Sequence, residues 1–162
     1  SFTSGIDSTY DEYVFKFYNI HPASNTVNLQ INASTDGGSN YNVTKTTSYF
    51  LAYHTENDSG TALQYYANRD LAQSTSAQQI VTIGNTNDDS ASGTLTLYNP
   101  SSSVFVKHFI SRLQAPTGEA TQNCKDTYVA GYFNTTSAIN AVQFKMSSGN
   151  IDSGVIKLYG VS

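Results

Sequence analysis

The chain has 162 residues, a net charge of −4 and only 12% charged residues, against about 25% in an average protein. This length predicts one domain, residues 1–162, with room for a full hydrophobic core. The isoelectric point of about 5.1 argues against nucleic-acid binding, which requires a basic surface. A single cysteine excludes an internal disulfide framework. No apolar run reaches the roughly 20 residues that cross a bilayer, so we expect no membrane partner.

Short segments with strand character recur along the chain, each bounded by Gly, Asn, Asp, Ser or Pro. Residues 13–20 are dense in aromatics and end close to a proline, which disfavours further strand pairing. Val27, Leu29 and Ile31 then alternate with polar residues, as in a half-buried strand. We predict about nine strands, over residues 13–20, 27–31, 46–54, 79–83, 94–98, 104–111, 127–133, 138–146 and 154–161.

Only residues 61–72 have a helical pattern, with Leu63 and Tyr66 three positions apart, and this weak spacing supports one or two turns of helix at most. No strand alternates with a long helical segment, which argues against a parallel α/β sheet. Several short strands at near-regular spacing are typical of a sandwich or jelly roll. The sequence therefore predicts an all-β, antiparallel β-sandwich that is jelly-roll-like.

The sequence contains no recognisable catalytic, cofactor-binding or metal-binding constellation. His21, His54 and His108 are scattered without ligand spacing. Residues 85–90 place oxygens at alternate positions like half of a calcium loop, but the central glycine and the final glutamate are missing, which favours a solvated turn. There is no Gly-x-Ser-x-Gly elbow, and Cys124 is interpreted as a small, partly buried residue. We therefore expect neither an enzyme nor a cofactor.

Three polar loops, residues 34–40, 57–61 and 85–93, are the expected places for contact with a ligand or receptor, because ordered loops often carry function. The candidate contact residues in and beside these loops are Asp36, Asn40, Tyr41, Asn57, Asp58, Asn87, Asp88 and Asp89. A further group of tyrosines has two interpretations, a stacking platform for sugars or packing in the core and between subunits. These tyrosines are Tyr41, Tyr49, Tyr53, Tyr65 and Tyr66.

Three stretches resemble small structural proteins of tailed bacteriophages, particularly phages of marine and freshwater bacteria. They are SFTSGIDSTYDEYVFKFYNIHPAS, SGTLTLYNPSSSVFVKHF and FNTTSAINAVQFKMSSGNIDSGVIKLYGVS, which together cover nearly half of the chain. The ending SSGN-x-x-S-G-x-x-KLYG is the most specific of these motifs. The resemblance implies a jelly-roll virion component and provides no catalytic residue.

The function that this resemblance implies is capsid decoration or cement, or a part of a head or tail fibre, located in the virion. The expected partners are other copies of the chain, in a homo-oligomer with a trimer favoured, and phage capsid or tail proteins. The alternative is a host-receptor or carbohydrate-binding module of a tail fibre that binds a surface glycan. A low-charge surface suits packing against neighbouring copies or a capsid lattice, because contact then removes few charges from water.

Overall fold

The computed structural model describes residues 1–117 and 122–162. Its described residues form ten β-strands and one three-residue 3₁₀ turn, which confirms the predicted all-β sandwich and adds one strand to the expected number. The strands are β1 (Glu12–Pro22), β2 (Val27–Ser34), β3 (Lys45–Thr55), β4 (Thr61–Tyr65), β5 (Gln78–Ile83), β6 (Ala91–Tyr98), β7 (Lys107–Thr117), β8 (Asn123–Phe133), β9 (Ala141–Met146) and β10 (Ile151–Val161).

The strands divide into two antiparallel sheets. The larger sheet has seven strands in the order β10-β1-β6-β7-β8-β3-β4, and the smaller has three in the order β5-β2-β9. Three pairs are nested in the sequence: β1 with β10, β2 with β9, and β3 with β8. The first and third of these pairs lie in the large sheet and the second in the small one. Nested pairs divided between two sheets in this way make the sandwich jelly-roll-like.

The alternation of side chains along each strand explains which residues form the core, since successive side chains of a strand point to opposite faces of the sheet. Phe15 and Phe17 of β1 face inward at 0% and 1% exposure. The Phe144 ring of β9 meets both of them edge-on at centroid distances of 5.0 Å, and these contacts join the two sheets through the hydrophobic core. Edge-to-face pairs of this kind contribute about 0.5–1.5 kcal/mol beyond their buried area.

The helix predicted for residues 61–72 is wrong. Thr61–Tyr65 forms strand β4, and only Ala67–Arg69 makes a 3₁₀ turn. The pairing of β4 with β3, from His54 opposite Thr61 to Phe50 opposite Tyr65, satisfies backbone groups that an isolated short helix would leave partly unpaired. Tertiary context therefore overrides the weak helical spacing.

Some strand bounds and the burial of Cys124 also need correction. Strands β7 and β9 begin at Lys107 and Ala141, each three residues later than predicted, so Val104 and Phe105 belong to the loop before β7. Cys124 is exposed and not partly buried, because it is the second residue of β8 and lies on the face of the sheet that points away from the core.

The interior holds two lysines, Lys45 and Lys107, both with 0% exposed surface. The Lys45 ammonium donates to the carbonyl oxygen of Ser76 at 2.6 Å. The Lys107 ammonium donates to the carbonyl oxygens of Phe105 and Thr135, both at 3.1 Å. Burial lowers the pKa of Lys45 to about 8 and also lowers the pKa of Lys107, since a charged amine loses its hydration in the interior.

Within residues 1–117 and 122–162, no helix has the length and apolar character to span a membrane. In the same residues, no group of three His, Cys, Asp or Glu side chains is arranged to hold a metal ion.

Candidate interaction surface

The large sheet exposes one broad face to solvent, which we call the outer face. Twelve large apolar side chains stand out as exposed among the described residues, and strand register places nine of them on this face. These nine are Tyr18, Phe50, Leu63, Tyr65, Tyr98, Ile110, Val155, Tyr159 and Val161. Scattered exposed apolar residues are ordinary, but a concentration on one face indicates an interaction surface.

Cation–π and stacking contacts organise one half of the outer face. The Arg112 guanidinium lies 5.1 Å from the Tyr128 ring centroid, and the Tyr128 ring stacks on Phe50 at 4.8 Å with an interplanar angle of 2°. Arg112 also forms an ion pair with Asp126, with an N···O distance of 2.7 Å. The hydrogen bond from Arg112 is the main cause that holds the pKa of Asp126 below its usual value. These contacts neutralise the charges and fix the side chains in position.

The other half of the outer face carries two lysines over tyrosine rings. The Lys16 ammonium lies 5.3 Å from the Tyr159 centroid, and the Lys157 ammonium lies 5.5 Å from the Tyr18 centroid. Both pairs cross between β1 and β10, where Lys16 and Lys157 are register partners. The rings remain partly exposed, so this half presents aromatic surface together with positive charge.

A shallow, mainly apolar depression of about 520 Å³ lies on the outer face where β3, β7 and β8 meet. The depression forms because two register partners, Ser48 and Ala130, have small side chains. We call these two residues its floor, and larger side chains surround them. The outer-face residues that line the depression are Thr46, Ser48, His108, Ile110, Ala130 and Tyr132.

Directly before β7, the loop of residues 99–106 presents the side chains of Val104 and Phe105, each 68% exposed. We call these two side chains the knob. The loop is ordered by its own contacts, since the Ser102 hydroxyl oxygen accepts hydrogen bonds from the amides of Val104 at 3.2 Å and Phe105 at 3.0 Å. The buried Lys107 ammonium holds the Phe105 carbonyl from below. The knob is therefore presented on a fixed backbone.

The predicted loop residues lie at opposite ends of the sandwich. Asp36, Asn40 and Tyr41 follow β2, at the end where β3 begins, which we call the Asp36 end. The other predicted residues are in the β3–β4 and β5–β6 loops, at the end that we call the Asp88 end. Gln122 links these two loops, because its carbonyl accepts from the Glu56 amide and its side-chain amide donates to Asp88, both at 2.9 Å.

At the Asp36 end, the Asp36 carboxylate is used within its own turn. It accepts hydrogen bonds from the Ser34 hydroxyl at 2.5 Å and from the Asn40 side-chain amide at 2.7 Å. The Ser34 bond is the main cause that lowers the pKa of Asp36 to about 2, followed by the bonds from Asn40. Tyr41 contributes its carbonyl, which accepts from the Asn32 side chain at 2.6 Å. These contacts are those of a structural turn.

At the Asp88 end, the polar side chains also serve their own loops. The Asn57 side-chain oxygen accepts from the Ser59 amide at 3.1 Å, and Asp58 lies 3.0 Å from the His54 ring nitrogen. The Thr86 hydroxyl lies 2.7 Å from a carboxylate oxygen of Asp88 and 2.7 Å from a carboxylate oxygen of Asp89. Asp89 is only 1% exposed, so its carboxylate belongs to the interior of the loop. Asn87 is exposed at the tip of the same loop.

The tyrosines considered as a stacking platform do not share one surface. Tyr49 is completely buried, and its hydroxyl accepts a hydrogen bond from Arg69 at 3.0 Å. Tyr66 packs edge-on against it at 6.1 Å, whereas Tyr65 is 62% exposed on the outer face. The packing interpretation therefore holds for Tyr49 and Tyr66.

Sequence reasoning missed both the outer face and the knob. Two signals were present: apolar residues at the solvent-side positions of predicted strands, such as Tyr18 and Ile110, and the adjacent Val104 and Phe105 after a run of serines. No family model, curated protein or solved structure matches the chain.

Proposed function

We propose that this protein is a structural subunit that binds other protein subunits through the outer face, as a capsid decoration, cement or fibre protein of a bacteriophage virion would. The observation that carries the proposal is the concentration of exposed apolar side chains on that face. The sequence stretches that resemble virion proteins provide the biological setting.

The size of the outer face supports this role. Seven strands about 4.8 Å apart, with up to eleven residues each at about 3.3 Å per residue, cover on the order of 1,000 Å². A standard protein–protein interface buries about 800 Å² on each partner. The aromatic side chains of the outer face resemble the composition of interface cores, in which Tyr and Phe are enriched.

The first experiment is the mass of the purified protein by light scattering over a range of concentrations. We expect a closed oligomer, with a trimer favoured. Ile110→Asp, in the centre of the outer face, should reduce the oligomer, whereas Ser148→Asp, in the exposed β9–β10 turn, adds the same charge and should leave it intact. A monomer at all concentrations would contradict self-assembly. The virion assignment further requires that the protein rebinds phage capsids depleted of their small proteins.

One observation favours the alternative of a glycan-binding module. The Tyr65 ring is exposed at the edge strand β4, and its hydroxyl donates a hydrogen bond to Asp70, so an aromatic face and a carboxylate lie together. Sugars stack on such rings while polar groups orient their hydroxyls. Binding on a glycan array that Tyr65→Ala abolishes would support this function, and a monomer that binds no glycan would contradict both proposals.

A further inference from the structure

We propose that the knob of one copy inserts into the depression on the outer face of a neighbouring copy, so that successive copies close into a ring. The inference rests on the proposed function, because it names the partner and the contact that the outer face uses. Its two halves are independent features of the chain: an exposed apolar pair on an ordered loop, and an apolar depression with small residues at its floor.

The knob has the properties of an interface anchor. Phe105 presents its ring to solvent with 68% of its surface exposed, although its backbone is fixed by Ser102 and Lys107. An aromatic side chain buries about 150–250 Å² when it is covered. Because the loop is already ordered, little conformational entropy is lost when it docks.

The depression has the matching size and chemistry. Its volume of about 520 Å³ is large enough for an aromatic ring and a neighbouring valine to lie against its floor, although the depression is open to solvent. Ser48 and Ala130 leave space at the floor, while Ile110 and Tyr132 provide apolar walls.

Charge does not oppose this contact. Residues 99–106 contain no charged side chain, and the lining residues of the depression carry none apart from the titratable ring of His108. Docking of the knob in the depression therefore removes no fixed charge from water. Burying an unpaired charge would be the largest cost of such a contact.

The partner is a second copy and not the same chain. Phe105 remains exposed in the folded chain, so the knob does not fill its own depression. The knob precedes Lys107 and the depression reaches His108 and Tyr132, so both lie towards the Asp36 end of the sandwich. Copies related by an axis parallel to the strands can then make the same contact repeatedly, and a heterologous contact of this kind gives a ring when the rotation between successive copies closes, and an open filament when it does not.

Photo-crosslinking tests the contact directly. The full chain with benzoylphenylalanine at position 105 is mixed with ¹⁵N-labelled wild-type chain, irradiated and digested. We expect light–heavy crosslinks from position 105 to peptides that contain residues 46–48, 108–110 or 130–132. The same probe at position 148, an exposed site in the β9–β10 turn outside the large sheet, should not give them. Crosslinks from position 105 only within one chain, or only to other peptides, would overturn the inference.

Complementary variants provide the second test. Phe105→Asp replaces the aromatic half of the knob with a charge, and Ile110→Asp places a charge in the depression. Each alone should weaken self-association by about thirtyfold or more, as for an interface hot spot. An equimolar mixture retains one intact knob and one intact depression, and we expect it to form heterodimers. Ser103→Asp adds the same charge to the same exposed loop and should leave the oligomer intact.

The outcomes separate the two proposals. A wild-type chain that stays monomeric overturns both. A wild-type oligomer that Phe105→Asp does not weaken, with no crosslink from position 105 to the depression, overturns the knob contact and leaves the structural function in place. Circular dichroism and the melting temperature establish that each variant is folded.

Discussion

Lys45 on β3 and Lys107 on β7 are both register partners of Phe133 on β8, so two buried ammonium groups flank a single phenylalanine. Neither has a carboxylate within ion-pair distance among the described residues. Their hydrogen bonds go to carbonyl oxygens of residues outside the strands, at positions 76, 105 and 135. The lysines therefore hold loops at the Asp36 end against the sandwich through hydrogen bonds. The removal of their charges from water opposes folding.

The first prediction is that stability increases as the pH rises above 8. The folded-state pKa of Lys45 is about 8 against an ordinary value of 10.5, so the unfolded chain binds more protons between these values. The penalty for burying the charge is fully present below pH 8 and disappears as the pH approaches 10.5. In urea unfolding, the contribution of Lys45 to the free energy of unfolding should rise by about 2 kcal/mol between pH 7 and pH 9.5.

Lys45→Met isolates this effect from other titrating groups. The variant should lack the Lys45 part of the pH dependence, while Lys145→Met, at an exposed lysine of β9, should keep it. The same slope in wild type and Lys45→Met would show that Lys45 is not the source.

The second prediction concerns buried hydroxyls. Thr127 on β8 is 1% exposed, and its hydroxyl has no hydrogen-bond partner among the described groups. Thr127→Val should raise the free energy of unfolding by about 1 kcal/mol, because an unpaired buried polar group is replaced by a methyl of the same shape.

Thr47 on β3 provides the matched control. It is also buried, but its hydroxyl donates to the Gln78 side chain at 2.5 Å and accepts from the Leu71 amide at 2.9 Å. Thr47→Val should lower the free energy of unfolding by about 1–3 kcal/mol. Equal effects of the two substitutions in chemical denaturation would contradict this explanation.

The third prediction concerns Gly154 of β10, which lies where the register between β1 and β10 shifts, between Tyr18 and His21. Gly154 has a φ of +107°, and a Cβ there would lie 2.5 Å from the Asn19 carbonyl oxygen. Gly154→Ala should therefore destabilise the protein by about 2 kcal/mol or more, through backbone strain and a clash with main-chain atoms. Gly60→Ala is the control, since the nearest atoms are 4.0 Å away, and its melting temperature should stay close to that of the wild type.

The fourth prediction is that the carboxyl group of Asp36 titrates with a pKa of about 2, measured by NMR. The contribution of its turn to stability is present above the ordinary pKa of about 3.9 and is lost as the pH falls towards 2, because the folded state binds the proton less readily. Ser34→Ala, which removes the principal hydrogen bond, should raise this pKa. An unchanged value in that variant would indicate a different cause.

Much of the fold was predictable because its inward residues alternate. Val27, Leu29 and Ile31 marked β2, and proline and glycine marked several of the turns. Strand β4 was not predictable, because its residues have no decisive pattern and acquire their conformation from pairing with β3. Local propensity is a weak signal where long-range pairing determines the structure.

The proposed interaction surface was harder to predict for a physical reason. The charged and polar loop residues that were predicted to contact a ligand, such as Asp36 and Asp89, accept hydrogen bonds within their own loops. Apolar residues such as Ile110 are interpreted as core by default, and only strand register reveals that they face outward. Buried lysines are likewise unexpected, since lysine is almost never fully buried unless its charge is paired.

The pairing of β1 with β10 also has a consequence for how the chain folds. Glu12 lies opposite Val161 and Tyr18 opposite Val155, so this pair joins segments that are separated by nearly the whole sequence. Contacts of such high contact order require closure of very long loops and slow the folding rate. During synthesis, one edge of β1 stays unpaired until β10 has left the ribosome. For that time, the exposed backbone groups of this edge are open to pairing with a wrong strand.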